Sequence, residues 1–339
     1  MNPNWRSFLE SAEGNFDGET SDLLNFGDPH AELTAAMQQT VVAPLNHLSL
    51  IEASGEDAKA FLHSQFTSDI NHLAENQAQH AGWCSAKGRM QASFLVWRRN
   101  ENFQLALAAD LQEATQKRLQ MFVLRAKVKL NNLTDDIILL GLSGPQAEEA
   151  LSSGGLTCPS EAMMSAQCGD ISVIRLDMQR FIVAVPAPAA ADLWQKLSIK
   201  ARPVGVPAWR WLDIQAGYPL VTLATKEEFV PQMADFEKIG AVSFHKGCYP
   251  GQEVVARTQY LGKVKRHLYR LSSTQALKAG EDLHSPDNPD QACGMVMTAA
   301  PSPRGGFEAL AVVQSNFAGN VRLGSREGPQ VEASAVNPA

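Results

Sequence analysis

The residues with the clearest chemical potential form one short run, Lys246-Gly247-Cys248-Tyr249-Pro250-Gly251-Gln252-Glu253. Tyr249-Pro250-Gly251 has Pro and Gly in the order that suits a type II turn. Gln252-Glu253-Val254-Val255-Ala256-Arg257 then reads as the start of a helix. Glu253 lies where the helix dipole favours an anion, and Glu253 with Arg257 has the spacing of an i,i+4 ion pair. Cys248 therefore sits just ahead of a helix and two residues after Lys246, surroundings in which a thiol can react as thiolate. The chemistry that follows is that of a reactive, partly exposed thiol. Local sequence leaves a second reading open, a small cysteine packed beneath the turn.

Other residues that could serve a site are scattered. Lys87 and Arg89 flank Gly88 in a turn and suit either an anionic tail or plain solvated charges. Gln65 and Gln232 carry amides fit for a heterocycle edge, or for capping a helix or loop. Trp209, in Trp209-Arg210-Trp211-Leu212-Asp213, offers an indole for stacking or for packing on its own helix. His245 and Cys248 alone do not make a metal site, and none is assigned.

The elements that must position these groups follow from periodicity. Leu48 opens an extended run over 48–53, closed by Ser54-Gly55, and Ala58, Phe61, Leu62 and Gln65 have helical spacing. Extended runs follow at 80–84, 91–97 and 103–108, then a helix over 111–123 and a strand at 128–130. That order predicts a ferredoxin-like α+β unit with one extra strand. It then recurs, with strands at 137–142, 171–176 and 180–185 and helices after Ser143-Gly144 and over 188–197. Ser54-Gly55-x-x-Ala58-x-x-x-Leu62 and Ser143-Gly144-x-x-Ala147-x-x-x-Leu151 share one form. They read as related halves with a cleft between, or as two turns alike by chance.

Beyond Lys265 short β segments at 267–272, 293–298, 308–314 and 320–323 suit a small barrel. The boundaries expected are an arm over 1–40, mobile or loosely docked, half-domains over 41–135 and 136–262, a barrel over 263–330, and a tail over 331–339. The last dozen residues are expected to fray.

Composition narrows the function classes. With 339 residues and 45% hydrophobic content, the chain can build more than one core without metal or disulfide. Its five cysteines are scattered, with no Cys-x-x-Cys pair, which fits a reducing compartment. The net charge of −7 argues against attraction of the whole molecule to nucleic acid, though not against one basic pocket for an anionic ligand. No run of 18 apolar residues and no leader pattern occurs, so a cytoplasmic protein without membrane contact is expected.

The motif and its companions carry a resemblance. Lys246-Gly247-Cys248-Tyr249-x-Gly251-Gln252-Glu253, continued by Val255-Ala256-Arg257, resembles the signature of the YgfZ/GcvT-like folate-binding proteins. Phe61-Leu62-x-x-Gln65-x-Thr67-x-Asp69-Ile70, Ala86-Lys87-Gly88-Arg89 and Phe229-x-Pro231-Gln232 resemble that family's other blocks, in the right order. The resemblance implies an α+β fold of two ferredoxin-like half-domains and a C-terminal barrel around a central opening for tetrahydrofolate or a one-carbon derivative. It implies a role in assembling or repairing iron–sulfur cluster enzymes, including one that modifies tRNA, with those enzymes as partners and no direct nucleic-acid contact. It also gives Trp209 a stacking role and places the family's second tryptophan at Leu48, which supplies apolar contact only.

The aminomethyl-transferring branch of the family uses an aspartate in an Asp-Asp pair, whose place here is taken by Ala92-Ser93. Neither residue can act as that carboxylate. Aminomethyl transfer is therefore disfavoured, as an alternative beside a folate-independent thiol-redox module that uses Cys248.

Overall fold

A computed structural model describes residues 1–18, 20, 22–288 and 290–336. Contacts divide the chain into two interleaved units. The first holds 1–58, 72–79 and 95–209, and the second holds 59–71, 80–94 and 210–339.

The first unit is organised by a six-stranded sheet whose central strand is Ile137–Ser143. That strand reads Ile-Ile-Leu-Leu-Gly-Leu-Ser and is buried along its whole length, as a strand covered on both faces should be. It pairs antiparallel with Arg180–Pro186 on one side and with Val41–Pro44 on the other. The strand Val41–Pro44 thus belongs to the second sheet of the sequence order and not to the first.

The first forty residues are not a loose arm. The helix Pro3–Ser11 is capped by Asn2, whose side chain accepts from the N–H groups of Asn4 and Trp5. It drives Trp5 and Leu9 into the core, where Trp5 meets Trp194 edge-on with ring centroids 5.7 Å apart. The helix Pro29–Gln38 follows, and its Glu32 accepts from the backbone N–H groups of Phe26 and Gly205. The buried residues, Trp5 and Leu9 in the first helix and Glu32, Leu33, Ala35 and Ala36 in the second, include few large apolar side chains, and that is too weak a periodic signal to read in a polar stretch.

The element order 48–132 is as expected, with helices at Ala58–Gln65 and Gln112–Val123 and strands at Leu48–Ser54, Ala78–Cys84, Met90–Arg99, Asn102–Ala108 and Lys129–Asn132. The two Ser-Gly turns share one backbone. Gly55 and Gly144 both have positive φ, +111° and +126°, and at each a Cβ would strike a carbonyl oxygen, 2.1 Å from that of Lys127 and 2.4 Å from that of Gln39. Only glycine fits both constraints, so the resemblance of the two turns is structural.

The second unit contains a closed barrel of six strands, in the order Arg266–Ser273, Phe307–Gln314, Gly294–Pro301, Asp282–His284, Val321–Leu323 and Gln330–Ala335. The final strand corrects the expectation of a frayed end. It pairs with both Arg266–Ser273 and Val321–Leu323, and so closes the barrel and removes its free edges. Residues 337–339 of the expected tail lie outside the described residues.

Candidate functional site

The run 246–253 lies in the second unit, and every companion block found in the sequence meets it there or braces what it touches. Lys246 is buried, with 8% of its surface exposed. Its ammonium donates to the carbonyls of His63 and Phe66, at the C-terminal end of the helix Ala58–Gln65. Four carbonyls at a helix end lack intrahelical donors, and a cation there also suits the dipole. The same ammonium lies 5.0 Å from the centre of the Tyr249 ring. Burial pushes the Lys246 amine down to about 8, and the nearby Asp69 carboxylate opposes that shift. Near neutrality the group is still an ammonium.

The turn behaves as its sequence predicts. Gly251 has φ +81° and ψ 2°, the third position of a type II turn, and the N–H of Gln252 donates to the carbonyl of Tyr249 at 3.2 Å. A Cβ on Gly251 would lie 2.4 Å from the Ser85 carbonyl oxygen and 2.7 Å from the Gly88 Cα. A Cβ on Gly88, itself at φ +71°, would lie 2.8 Å from the Cβ of Val254. Two glycine turns, one from each block, therefore touch backbone to backbone. Gly247 differs, since a Cβ there would meet nothing closer than the His63 imidazole at 3.7 Å.

Gln232 braces the helix Gln252–Tyr260 by donating to the carbonyl of Val255 at 2.7 Å. The stretch before it is clamped to the Met90 backbone, which donates to Phe229 and accepts from Glu227. Arg89 donates to the carbonyl of Glu228. Thr67 ties the first block to the loop before the motif. Its hydroxyl accepts from the Gly82 N–H at 2.8 Å and donates to the Ala241 carbonyl at 2.6 Å, while its own carbonyl accepts from Ser243. Thr67 was visible as part of its block but was not singled out as a site residue. Its role depends on a partner 174 positions away, which local pattern does not reveal.

Within this frame the buried and exposed positions alternate in an informative way. Lys246 and Tyr249 are buried, and Cys248 between them is exposed. The reading of Cys248 as a packing residue beneath the turn is therefore corrected, because Tyr249 fills that space. Beneath Tyr249 lies Cys84, a second thiol of different character. Burial pushes Cys84 up to about 12, and burial together with Cys84 pushes the Tyr249 phenol well above its ordinary value. Cys84 is thus an inert packing thiol and Cys248 is the accessible one.

Glu253 and Arg257 do not form the expected ion pair. Among the described residues no carboxylate lies within ion-pair distance of Arg257, whose side chain turns to a groove at the far end of the helix. Exposed i,i+4 pairs yield only a few tenths of a kcal/mol (~0.3–0.5), so other contacts decide easily.

The remaining candidates are placed as follows. Gln65 is buried, and its Nε2 donates to the Ser64 hydroxyl at 3.3 Å. The Oε1 atoms of Gln65 and Gln232 are both buried and accept no hydrogen bond from any described residue, as is the Oε1 of Gln91, which the sequence did not flag. Lys87 is exposed at its turn. Ala92 is fully buried and Ser93 accepts from the Val221 N–H at 3.0 Å, so the place of the carboxylate pair serves packing.

Leu48 and Trp209 lie in the first unit. Leu48 lines a cavity of about 160 Å³ together with Trp5, Leu45, Leu50 and Ala109. Trp209 has 1% of its surface exposed, beneath the Arg180 guanidinium and against Gly141, where a Cβ would come within 2.5 Å of the ring. Its indole fills the core of that unit and offers no open face.

Comparison with known proteins agrees with this architecture. Residues 25–244 match the family described as GCVT N-terminal domain. That match ends two residues before Lys246. The chain is 30% identical over 259 residues to the tRNA-modifying protein YgfZ of Cronobacter sakazakii (strain ATCC BAA-894), covering 75% of this chain and 78% of that protein. Among solved structures, the glycine cleavage system aminomethyltransferase T from Bartonella henselae superposes with a TM-score of 0.83 at 20% identity, over 100% of this chain and 97% of that one. At that identity the likeness speaks for the fold alone, which is the expected α+β fold with its C-terminal barrel. On the strength of the matched domain, the curated relative and the motif blocks gathered around Cys248, the chain belongs to the YgfZ/GcvT-like folate-binding protein family.

Proposed function

We propose that this protein is a tetrahydrofolate-binding accessory factor for the assembly or repair of iron–sulfur cluster enzymes, one of which modifies tRNA. The observation that carries the reading is the convergence on Cys248. Lys246, Gly251, Gln232 and Thr67 each spend a buried interaction on fixing the loop that presents this exposed thiol. Surface loops do not need such bracing unless their geometry matters.

The chemistry of the surroundings suits a reduced pterin. Its ring carries N–H donors, and Gln65 and Gln232 hold buried acceptor oxygens that accept from no described residue. An unmet buried acceptor costs about 1–3 kcal/mol, which a ligand donor would recover. Lys87 would attract the glutamate tail from its exposed turn. When bound, the folate supplies a carrier for a one-carbon unit; the protein's part is to bind it, orient it and keep Cys248 accessible.

Aminomethyl transfer remains the weaker alternative, because Ala92 is apolar and Ser93 is committed to the Val221 N–H. The relative named a tRNA-modifying protein supports a link to tRNA through a client enzyme. Complementation tests the role of the thiol. Cells lacking this function and given the Cys248→Ala protein should not recover iron–sulfur enzyme activity, and full recovery would make the thiol structural. Titration with tetrahydrofolate, followed by tryptophan fluorescence and calorimetry, tests the ligand, and absence of saturable binding would remove the folate half.

A further inference from the structure

The end of the helix Gln252–Tyr260 opposite the thiol borders a groove of about 710 Å³. Four cations line it, Arg257, Lys263, Lys265 and Arg266, with the amides of Gln291 and Gln314 beside them. Among the described residues no carboxylate lines it, and none of the four cations forms an ion pair with a described residue. In a chain of net charge −7 this is a local inversion of sign.

The groove is held in shape by the backbone. The N–H groups of Leu261 and Gly262 both donate to the Arg257 carbonyl and close the helix. Ser315 donates to the Lys265 carbonyl, and Gln314 donates to Cys293. Arg266 and Gln314 face each other as partners across two paired barrel strands. Arg257 lies in the helix, Arg266 opens a barrel strand, and Lys263 and Lys265 lie on the short link that joins the two.

Structural needs do not account for them. A helix C-terminus is satisfied by one nearby cation, which Arg257 supplies. Four like charges around one groove repel each other, and the arrangement gains only when an anion enters. A phosphate group suits the donor set better than a carboxylate does. It presents three acceptor oxygens and up to two charges, enough to engage an arginine fork, lysine ammonium groups and neutral amides together.

We propose that this groove is a binding site for a polyphosphorylated anion, a ligand with two or more phosphate groups in a chain. That chemistry is shared by a free polyphosphate and by the backbone of single-stranded RNA. The site is separate from the folate reading and does not depend on it.

The full-length protein, without folate, would be titrated by calorimetry with inorganic tripolyphosphate, with a twelve-nucleotide single-stranded RNA of mixed sequence, and with deca-glutamate. Saturable binding of tripolyphosphate or RNA is expected, weakened about tenfold or more by the Lys263→Glu/Lys265→Glu double substitution. Affinity should also fall steeply with salt, as counterion release requires. Tighter binding of the RNA would identify a nucleic-acid backbone as the source, and equal or tighter binding of tripolyphosphate a small polyphosphate. Both results uphold the site. Circular dichroism checks the fold of the double variant, and Lys263→Ala/Lys265→Ala, which should weaken binding severalfold, replaces it if folding suffers. The assignment is overturned if neither phosphate ligand saturates, if neither variant changes the affinity, or if deca-glutamate binds as tightly as tripolyphosphate.

Discussion

Two buried charges in the second unit are held in opposite ways. Glu308, in the barrel strand Phe307–Gln314, accepts from Trp211 Nε1 at 3.2 Å, Gln215 Nε2 at 2.6 Å and the Ser302 hydroxyl at 2.6 Å, with Arg304 3.5 Å away. Burial alone would raise this carboxyl, but the hydrogen bonds from Ser302, Gln215 and Trp211 outweigh it and hold the group below its ordinary range. Lys246 donates to two backbone carbonyls and lies over an aromatic face, and burial dominates even with the Asp69 carboxylate nearby. A charge that ties the barrel to the helix Val206–Ala216 is fully matched, whereas the charge beside the functional thiol is left conditional. Perturbed titration concentrates at sites for this reason.

The largest expected effect on stability falls on the matched charge. Glu308→Ala strands two buried donors and a half-buried one at once, and should cost about 3 kcal/mol in urea unfolding. The alkylation rate of Cys248 in the folded variant should stay at the wild-type value. A loss below about 1 kcal/mol would mean that water replaces the carboxylate and that the contrast with Lys246 is weaker than the hydrogen bonds imply.

Gly251→Ala comes next. The left-handed backbone costs an alanine roughly 1 kcal/mol, and the approach to Ser85 and Gly88 adds displacement of backbone on both sides. A total near 2 kcal/mol is expected, with faster proteolysis within 246–253 as its local signature. Gly247→Ala is the internal control, because its Cβ has room, and it should shift stability by less than about 0.5 kcal/mol.

Lys246→Met probes the conditional charge directly. At pH 7 it removes the donor from two carbonyls and should cost about 1 kcal/mol. The pH dependence carries the sign. The folded amine titrates near 8 and the unfolded one near its ordinary 10.5. Below pH 8 both states are charged and the folded state bears the cost of burial in full. Between 8 and 10.5 the unfolded chain holds the extra proton, so wild-type stability rises with pH. The margin of wild type over Lys246→Met should therefore widen across that window, by an amount on the order of 1 kcal/mol once solvent screening is allowed for. A flat or shrinking margin would show that the bonds to His63 and Phe66 overcome desolvation, making Lys246 a matched charge like Glu308.

Much of the fold was legible in the sequence, for reasons that particular residues show, whereas the contrast between Glu308 and Lys246 was not. Pro250-Gly251 announced its turn because only glycine takes φ +81° there without strain. Strands such as Ile137–Ser143 announced themselves by continuous apolar runs. The helices at Pro3–Ser11 and Pro29–Gln38 did not, since each is short and owes its place to a few contacts made far along the chain. The strand Gln330–Ala335 was hidden in small polar residues, and its pairing, not its composition, makes it a strand. At the site the motif named the parts but not their exposure. Adjacent residues of one loop point opposite ways, and which of Lys246, Cys248 and Tyr249 is buried depends on the helix end and the Cys84 thiol they meet.

The smallest expected effect on stability belongs to the most important residue. Cys248 is exposed and makes no hydrogen bond with any described residue, so Cys248→Ser should change unfolding free energy by no more than about 0.5 kcal/mol. Its functional effect should be the largest of the set, with loss of complementation in cells whose iron–sulfur enzymes depend on this protein. Lys246→Met should give an intermediate loss, because it frees the loop but keeps the thiol. Equal loss from both would mean that Lys246 acts on the reacting partner itself, and no loss from Cys248→Ser would shift the site to the buried frame around it. The pairing of thermodynamic silence with functional loss is what separates a presented thiol from a packed one, and Cys84→Ser supplies the opposite case. There a hydroxyl replaces a buried sulfur beneath Tyr249, and stability should fall by about 1–2 kcal/mol while Cys248 still reacts.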